Sequence, residues 1–104
     1  MAINGKRTKS VKLVREMRGG ETYEYYPLGR YIVAAPGVCG GRPTFKGTRI
    51  RVEFVLDLIE AGQSIENITD RYDASDISAA AVREAIRLAK KALVRTAAPL
   101  RMAA

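Results

Sequence analysis

Four cations stand close together in a segment unusually rich in glycine and proline. Arg42, Lys46, Arg49 and Arg51 alternate with Gly40, Gly41, Pro43 and Gly47. Glycines admit positive φ and let a backbone or an anion approach closely. Prolines fix φ and remove donors, so the path is a set of defined turns. Successive glycine N–H groups beside cations can form an anion-binding nest, and arginine adds a planar fork matched to phosphate or carboxylate. The competing structural reading has Arg42 and Arg49 tying the loop to helix carboxylates such as Glu53 or Asp57. Both readings stand at this level. A nucleotide P-loop is excluded, because its Gly-Lys-Ser/Thr ending is absent. Gly40, Gly41, Pro43 and Gly47 are the structural frame of this loop.

Two further basic sets extend the candidate list. Residues 1–20 carry Lys6, Arg7, Lys9, Lys12, Arg15 and Arg18 against the single Glu16, a net charge of +5 out of +7 for the whole chain. Residues 31–91 are nearly neutral, so an anionic partner is drawn first to the N-terminal arm. Lys6, Arg7, Lys9 and Lys12 are its candidate contacts. The third set, Arg83, Arg87, Lys90 and Lys91, forms one side of a helical pattern. It can meet phosphates, or it can be a solvated face pairing with Glu84 and neighbours.

Catalysis has little to work with. The chain has no histidine and one cysteine, Cys39. The commonest general base and the commonest metal ligand are therefore missing, and a Cys/His zinc site within one chain is impossible. A Cys39 nucleophile lacks a base. The carboxylates Asp57, Glu60, Asp70, Asp73 and Asp76 fall at helix-surface or capping positions. We expect no enzyme activity, no catalytic residue, no metal and no cofactor.

The elements that hold these side chains follow from periodicity and punctuation. Residues 1–20 show at best a weak helical pattern ended by Gly19-Gly20. They read as a basic arm, either a mobile solvated tail or a segment that orders on a partner. Strand-favouring residues predict strands over 22–26 and 30–35 around the turn Pro27-Leu28-Gly29, and alternation predicts a third over 49–52. Helices are expected over 53–61, ended by Gly62, over 65–72, capped by Ser64, and over 76–95, capped by Ser75 or Asp76 with Pro99 beyond. On the last helix Val82, Ile86, Ala89 and Leu93 recur on the inward face. Residues 97–104 read as a frayed tail. The result is one domain over 21–96, an α+β fold in which short strands precede three helices of helix-turn-helix type.

A length of 104 residues supports a modest core, so a homodimer is an attractive way to bury more surface. Tyrosines and an open sheet edge favour pairing through the strands. No apolar run is long enough for a membrane span, the start lacks the apolar stretch of a secretory signal, and a lone cysteine fits a reducing cytoplasm. The first turns of the third helix, Asp76-Ile77-Ser78-Ala79-Ala80-Ala81, contain no base-reading side chain. DNA affinity is expected instead from the strands and the arm, with a steep salt dependence.

Gly40-Gly41-Arg42-Pro43, Phe45-Lys46-Gly47-Thr48-Arg49-Ile50 and Val55-Leu56-Asp57-Leu58-Ile59-Glu60-Ala61-Gly62 resemble the family catalogued as domain of unknown function 433, over about Tyr31 to Leu88. Arg51 departs from it, where many relatives have proline. The resemblance implies a homeodomain-like trihelical unit. It also implies an antitoxin role beside a PIN-like ribonuclease, with DNA as a second partner for autoregulation. The alternatives are a stand-alone DNA-binding regulator and a protein-interaction module that binds no nucleic acid.

Overall fold

The computed structural model describes residues 12–97. Four strands come first: β1 (Val14–Arg18), β2 (Glu21–Pro27), β3 (Ile32–Ala34) and β4 (Pro43–Phe45). Three helices follow: α1 (Val52–Glu60), α2 (Ile65–Arg71) and α3 (Ala79–Ala97). The strands form one antiparallel sheet in chain order. The architecture is the expected α+β arrangement of strands before three helices.

The largest difference from the sequence reading lies at the front. Val14–Arg18 is a strand paired along its whole length with β2, Arg15 opposite Glu24 and Arg18 opposite Glu21. Gly19 and Gly20 take φ of +57° and +85°, the two left-handed positions a tight hairpin turn requires. The boundary drawn at residue 20 therefore falls inside a hairpin. Residues 1–11, with Lys6, Arg7 and Lys9, and residues 98–104 of the expected tail lie outside the described residues.

The third strand also moves. It is Pro43–Phe45, pairing with β3 as Ile32–Phe45, Val33–Thr44 and Ala34–Pro43. Residues 49–52 make only a single bridge, Thr44 to Arg51, before α1 starts at Val52. Between them the Phe45-Lys46-Gly47-Thr48 turn closes with Thr48 N–H donating to the Phe45 carbonyl at 3.0 Å. Gly47 sits at φ +80°, the third-position conformation of a type II turn. The Thr48 hydroxyl donates to the Phe45 carbonyl and accepts from Ile50 N–H.

Strand alternation sends β3 to two cores. Ile32 joins Phe45, Val52, Val55, Ile68, Ile77 and Val82 between sheet and helices. Val33 turns to the opposite face, with Tyr25, Ala35 and the flanking Val14, Tyr23 and Val38. The first helical connection is a Schellman ending: Gln63 N–H reaches the Leu58 carbonyl, Gly62 N–H reaches Ile59, and Gly62 takes φ +96°. Ser64 caps α2 through Asn67 N–H at 3.0 Å. The cap of α3 is Ser78, which accepts from Ala81 N–H at 3.1 Å, and not Ser75 or Asp76. Ser75 ends a short 3-10 turn, and Asp76 leaves it in the left-handed conformation.

Candidate anion-binding surface

The Gly47 turn is the centre of a cationic surface, and β1 and β2 build its floor. Tyr23 and Tyr25 project on one face of β2 with ring centroids 5.0 Å apart. Gly47 N–H donates to the Tyr23 hydroxyl at 2.9 Å, tying the turn to the sheet. The Arg18 guanidinium lies 5.1 Å from the Tyr23 ring centroid. It also rests against Gly47 so closely that a Cβ there would stand 2.8 Å from Arg18 Nη1. The positive φ favours glycine at this position, and a side chain there would displace the Arg18 guanidinium.

A small charged network locks the same floor. The Tyr25 hydroxyl donates to Glu16 Oε2 at 2.6 Å, Lys46 Nζ lies 3.4 Å from the same oxygen, and Lys46 stands 5.1 Å from the Tyr25 ring centroid. Arg18 Nε is 3.8 Å from Glu16 Oε1. The Tyr25 hydrogen bond first, with Lys46 and Arg18 behind it, holds the Glu16 carboxyl below its ordinary range against an opposing push from burial. Tyr25 and then Glu16 hold the Lys46 ammonium above its ordinary range, again against desolvation.

Arg30 enters from the β2–β3 turn. Its guanidinium lies 5.4 Å from the Tyr31 ring centroid. Its backbone is fixed from below by Glu84 of α3, whose carboxylate accepts Arg30 N–H at 2.9 Å and Tyr31 N–H at 2.7 Å. Glu84 is 8% exposed. Two charge-assisted backbone bonds satisfy a carboxylate that would otherwise be costly to bury.

The sequence candidates divide. Lys46 belongs to this surface. Arg42 donates from Nη1 to both Glu53 oxygens, at 2.9 and 3.3 Å, and Arg51 Nη1 lies 3.7 Å from Glu53 Oε2. For Arg42 the structural reading holds, and it ties the glycine loop to α1, whereas Arg51 makes a local contact at the start of that helix and Arg49 does not reach Glu53 or Asp57. Arg49 makes no ion pair among the described residues and lines a cleft of about 410 Å3 beside Arg18, Tyr23 and Thr48. Its carbonyl accepts the Cys39 thiol, with Sγ 3.3 Å away. Lys12 is exposed before β1. Gly40 and Gly41 take φ of +65° and +84° within a 3-10 turn.

Arg83, Arg87, Lys90 and Lys91 are exposed along α3, separate from the Gly47 turn. The expected pairing with Glu84 does not form, because Glu84 is committed to the Arg30 turn. The first residues of α3, Ala79, Ala80, Ala81 and Val82, offer no polar side chain to a base edge. The apolar stripe of α3 also runs past the core: Val82 and Ala85 are buried, but Leu93 is 70% exposed and Val94 64%.

Arg18, Arg30, Glu16 and Glu84 were not among the sequence candidates. One available signal was Gly19-Gly20 between two alternating runs, the pattern of a two-residue hairpin. Among the described residues, no group of three or more His, Cys, Asp or Glu is placed to hold a metal ion, and no helix is long and apolar enough to cross a membrane.

A family model described as a protein of unknown function, DUF433, matches residues 32–89, more than half of the chain. That span takes in the glycine block, the Gly47 turn, α1, α2 and the first half of α3. β1 and β2 precede it. No curated protein and no solved structure matches the chain.

Proposed function

We propose that this chain, which belongs to the DUF433 family, is a non-catalytic antitoxin-like protein. It binds and silences a PIN-like ribonuclease and binds operator DNA to regulate its own synthesis. The observation that carries the nuclease half is the end of α3. From Ala89 to Thr96 every residue is exposed, and from Ile86 to Ala97 there are four cations and no carboxylate. Lys90, Lys91, Val94 and Arg95 line a shallow surface there.

Helices in proteins owe most of their stability to packing an amphipathic face. A two-turn helical projection with Leu93 and Val94 bare and only positive charge around them suits an apolar groove rimmed by acids. Burying each aliphatic side chain fully contributes about 1.5–3 kcal/mol. A PIN-like ribonuclease gathers acidic side chains around a divalent metal, and a lysine or arginine delivered there replaces the metal's charge. Self-association through the same segment is opposed by like-charge repulsion. A homodimer is instead proposed through β1, which lies at the edge of the sheet.

The test of the nuclease half is co-expression with a PIN-like ribonuclease from the adjoining gene, the presence of such a gene being itself the first outcome, followed by purification. Stable co-elution supports the reading, and separate elution removes it. The DNA half is tested by a gel shift on the chain's own upstream DNA, with no complex at low salt as the contrary result. A stand-alone DNA-binding regulator is the second reading, favoured by the cationic Gly47 surface.

A further inference from the structure

A cleft of about 210 Å3 opens beside the Gly47 turn, between the sheet and the start of α3. Arg18, Arg30 and Lys46 line it, with Tyr31, Thr48 and Asp76. We infer that this cleft is a phosphate-binding site, occupied by a backbone phosphate of a polynucleotide, and that Arg18 and Arg30 are its principal contacts.

Three observations converge on it. The Arg18 and Arg30 guanidinium carbons lie 5.1 and 5.4 Å from the Tyr23 and Tyr31 ring centroids. A cation–π contact of this kind holds a guanidinium near its ring while leaving N–H donors open to an oxyanion. Arg30 and Tyr31 are also held at the backbone by Glu84, and Arg18 is seated against a glycine that can carry no side chain without displacing it. Finally, neither fork is consumed. Arg30 forms no ion pair among the described residues, and Arg18 has only the 3.8 Å approach of its Nε to Glu16. The contrast with Arg42 and Arg51, both turned onto Glu53, is direct.

The carboxylates around the cleft set its preference. Glu16 is shared among Tyr25, Lys46 and Arg18, and buried Glu84 is spent on two amides. Asp76 stands on the rim and makes no ion pair among the described residues. Three cations against Glu16 and Asp76 leave a single net positive charge. That suits a singly charged phosphodiester drawn in by two forks, and Asp76 disfavours doubly charged anions at the rim.

This inference rests on the DNA half of the reading above and is independent of the nuclease half. The test compares the full chain with Arg18→Gln/Arg30→Gln and with Arg83→Gln/Arg87→Gln on α3. The probes are a labelled duplex of its own upstream DNA, a single strand of the same sequence, and inorganic pyrophosphate. Anisotropy titrations over a range of salt should show the Arg18/Arg30 variant at least about tenfold weaker on DNA. Its log–log salt slope should be shallower by about 1, the value for one phosphate contact, and the α3 variant should be little changed. Amide shifts of Arg30, Gly47 and Thr48 on adding DNA place the contact. The same shifts with pyrophosphate but not DNA would overturn the assignment to a polynucleotide phosphate, because the cleft would then prefer a free, multiply charged anion. An Arg18/Arg30 variant that binds both polynucleotides as the parent does, or no movement of those amides with any probe, overturns the inference.

Discussion

Glu84 and Gly29 meet so closely that a Cβ on the glycine would stand 2.7 Å from the Glu84 carboxyl carbon. The helix carboxylate needs this space to reach the Arg30 and Tyr31 amides, so turn and helix are built around each other. Gly29→Ala should cost about 1–3 kcal/mol by overpacking. Glu84→Ala should cost a similar amount, because it strands two backbone donors. In a double-mutant cycle by urea unfolding, Gly29→Ala should cost much less once Glu84 is alanine. Strictly additive losses would show that the two residues do not share this space.

The Glu16–Tyr25–Lys46 network gives stability a pH dependence of fixed sign. Glu16 is depressed in the folded state. Its contribution is therefore complete above the ordinary glutamate value, about 4.3, and is lost as pH falls through the lower folded value. Lys46 is raised, so its contribution is complete below the ordinary lysine value, about 10.4, and is lost as pH rises through the higher folded value. Tyr25→Phe should move the Glu16 carboxyl back up toward its ordinary range in a carbon-detected NMR titration. An unmoved Glu16 titration in that variant would assign the depression to Lys46 and Arg18 instead.

Thr44 is fully buried in β4, and its hydroxyl has no hydrogen-bond partner among the described residues. Thr44→Val replaces that hydroxyl with a methyl group of similar shape. It should be neutral or stabilising by up to about 1 kcal/mol in thermal or urea unfolding. A clear loss of stability would mean the hydroxyl has a partner in solution.

Cys39 carries positive φ, +50°, outside a glycine position, and its thiol is spent on the Arg49 carbonyl. Cys39→Ser keeps a donor there and should leave the proposed nuclease and DNA binding as they are in the parent. A difference from the parent in either assay with the fold intact, judged by circular dichroism, would give the thiol a role beyond this contact.

The helices were legible because each signal was local. Ser64 and Gly62 are cap and stop residues, and Val55, Ile68 and Val82 each belong to an apolar stripe at helical spacing within its own helix. The family block was legible in Gly47 and its neighbours, whose turn needs glycine. Arg42 was legible only as an alternative, because charge alone does not say whether a guanidinium meets a ligand or Glu53. Arg18 and Arg30 were hidden for a different reason. Their meaning comes from tyrosine rings and turn partners brought in by the sheet, and Arg30 is fixed by a residue more than fifty positions away. Ser78 took the cap of α3 from Ser75 and Asp76 because a 3-10 turn occupies those positions. Leu93 followed the helical period of Val82, but the core ends before it.

The bare, basic end of α3 is proposed to dock a PIN-like ribonuclease, and one purification tests it. The parent chain and Leu93→Ser/Val94→Ser are each co-expressed with that nuclease and passed over a sizing column. Both positions are exposed, so the variant should fold with an unchanged melting temperature. A stable complex is expected with the parent and separate elution with the variant. Separate elution of the parent, or an intact complex with the variant, contradicts it.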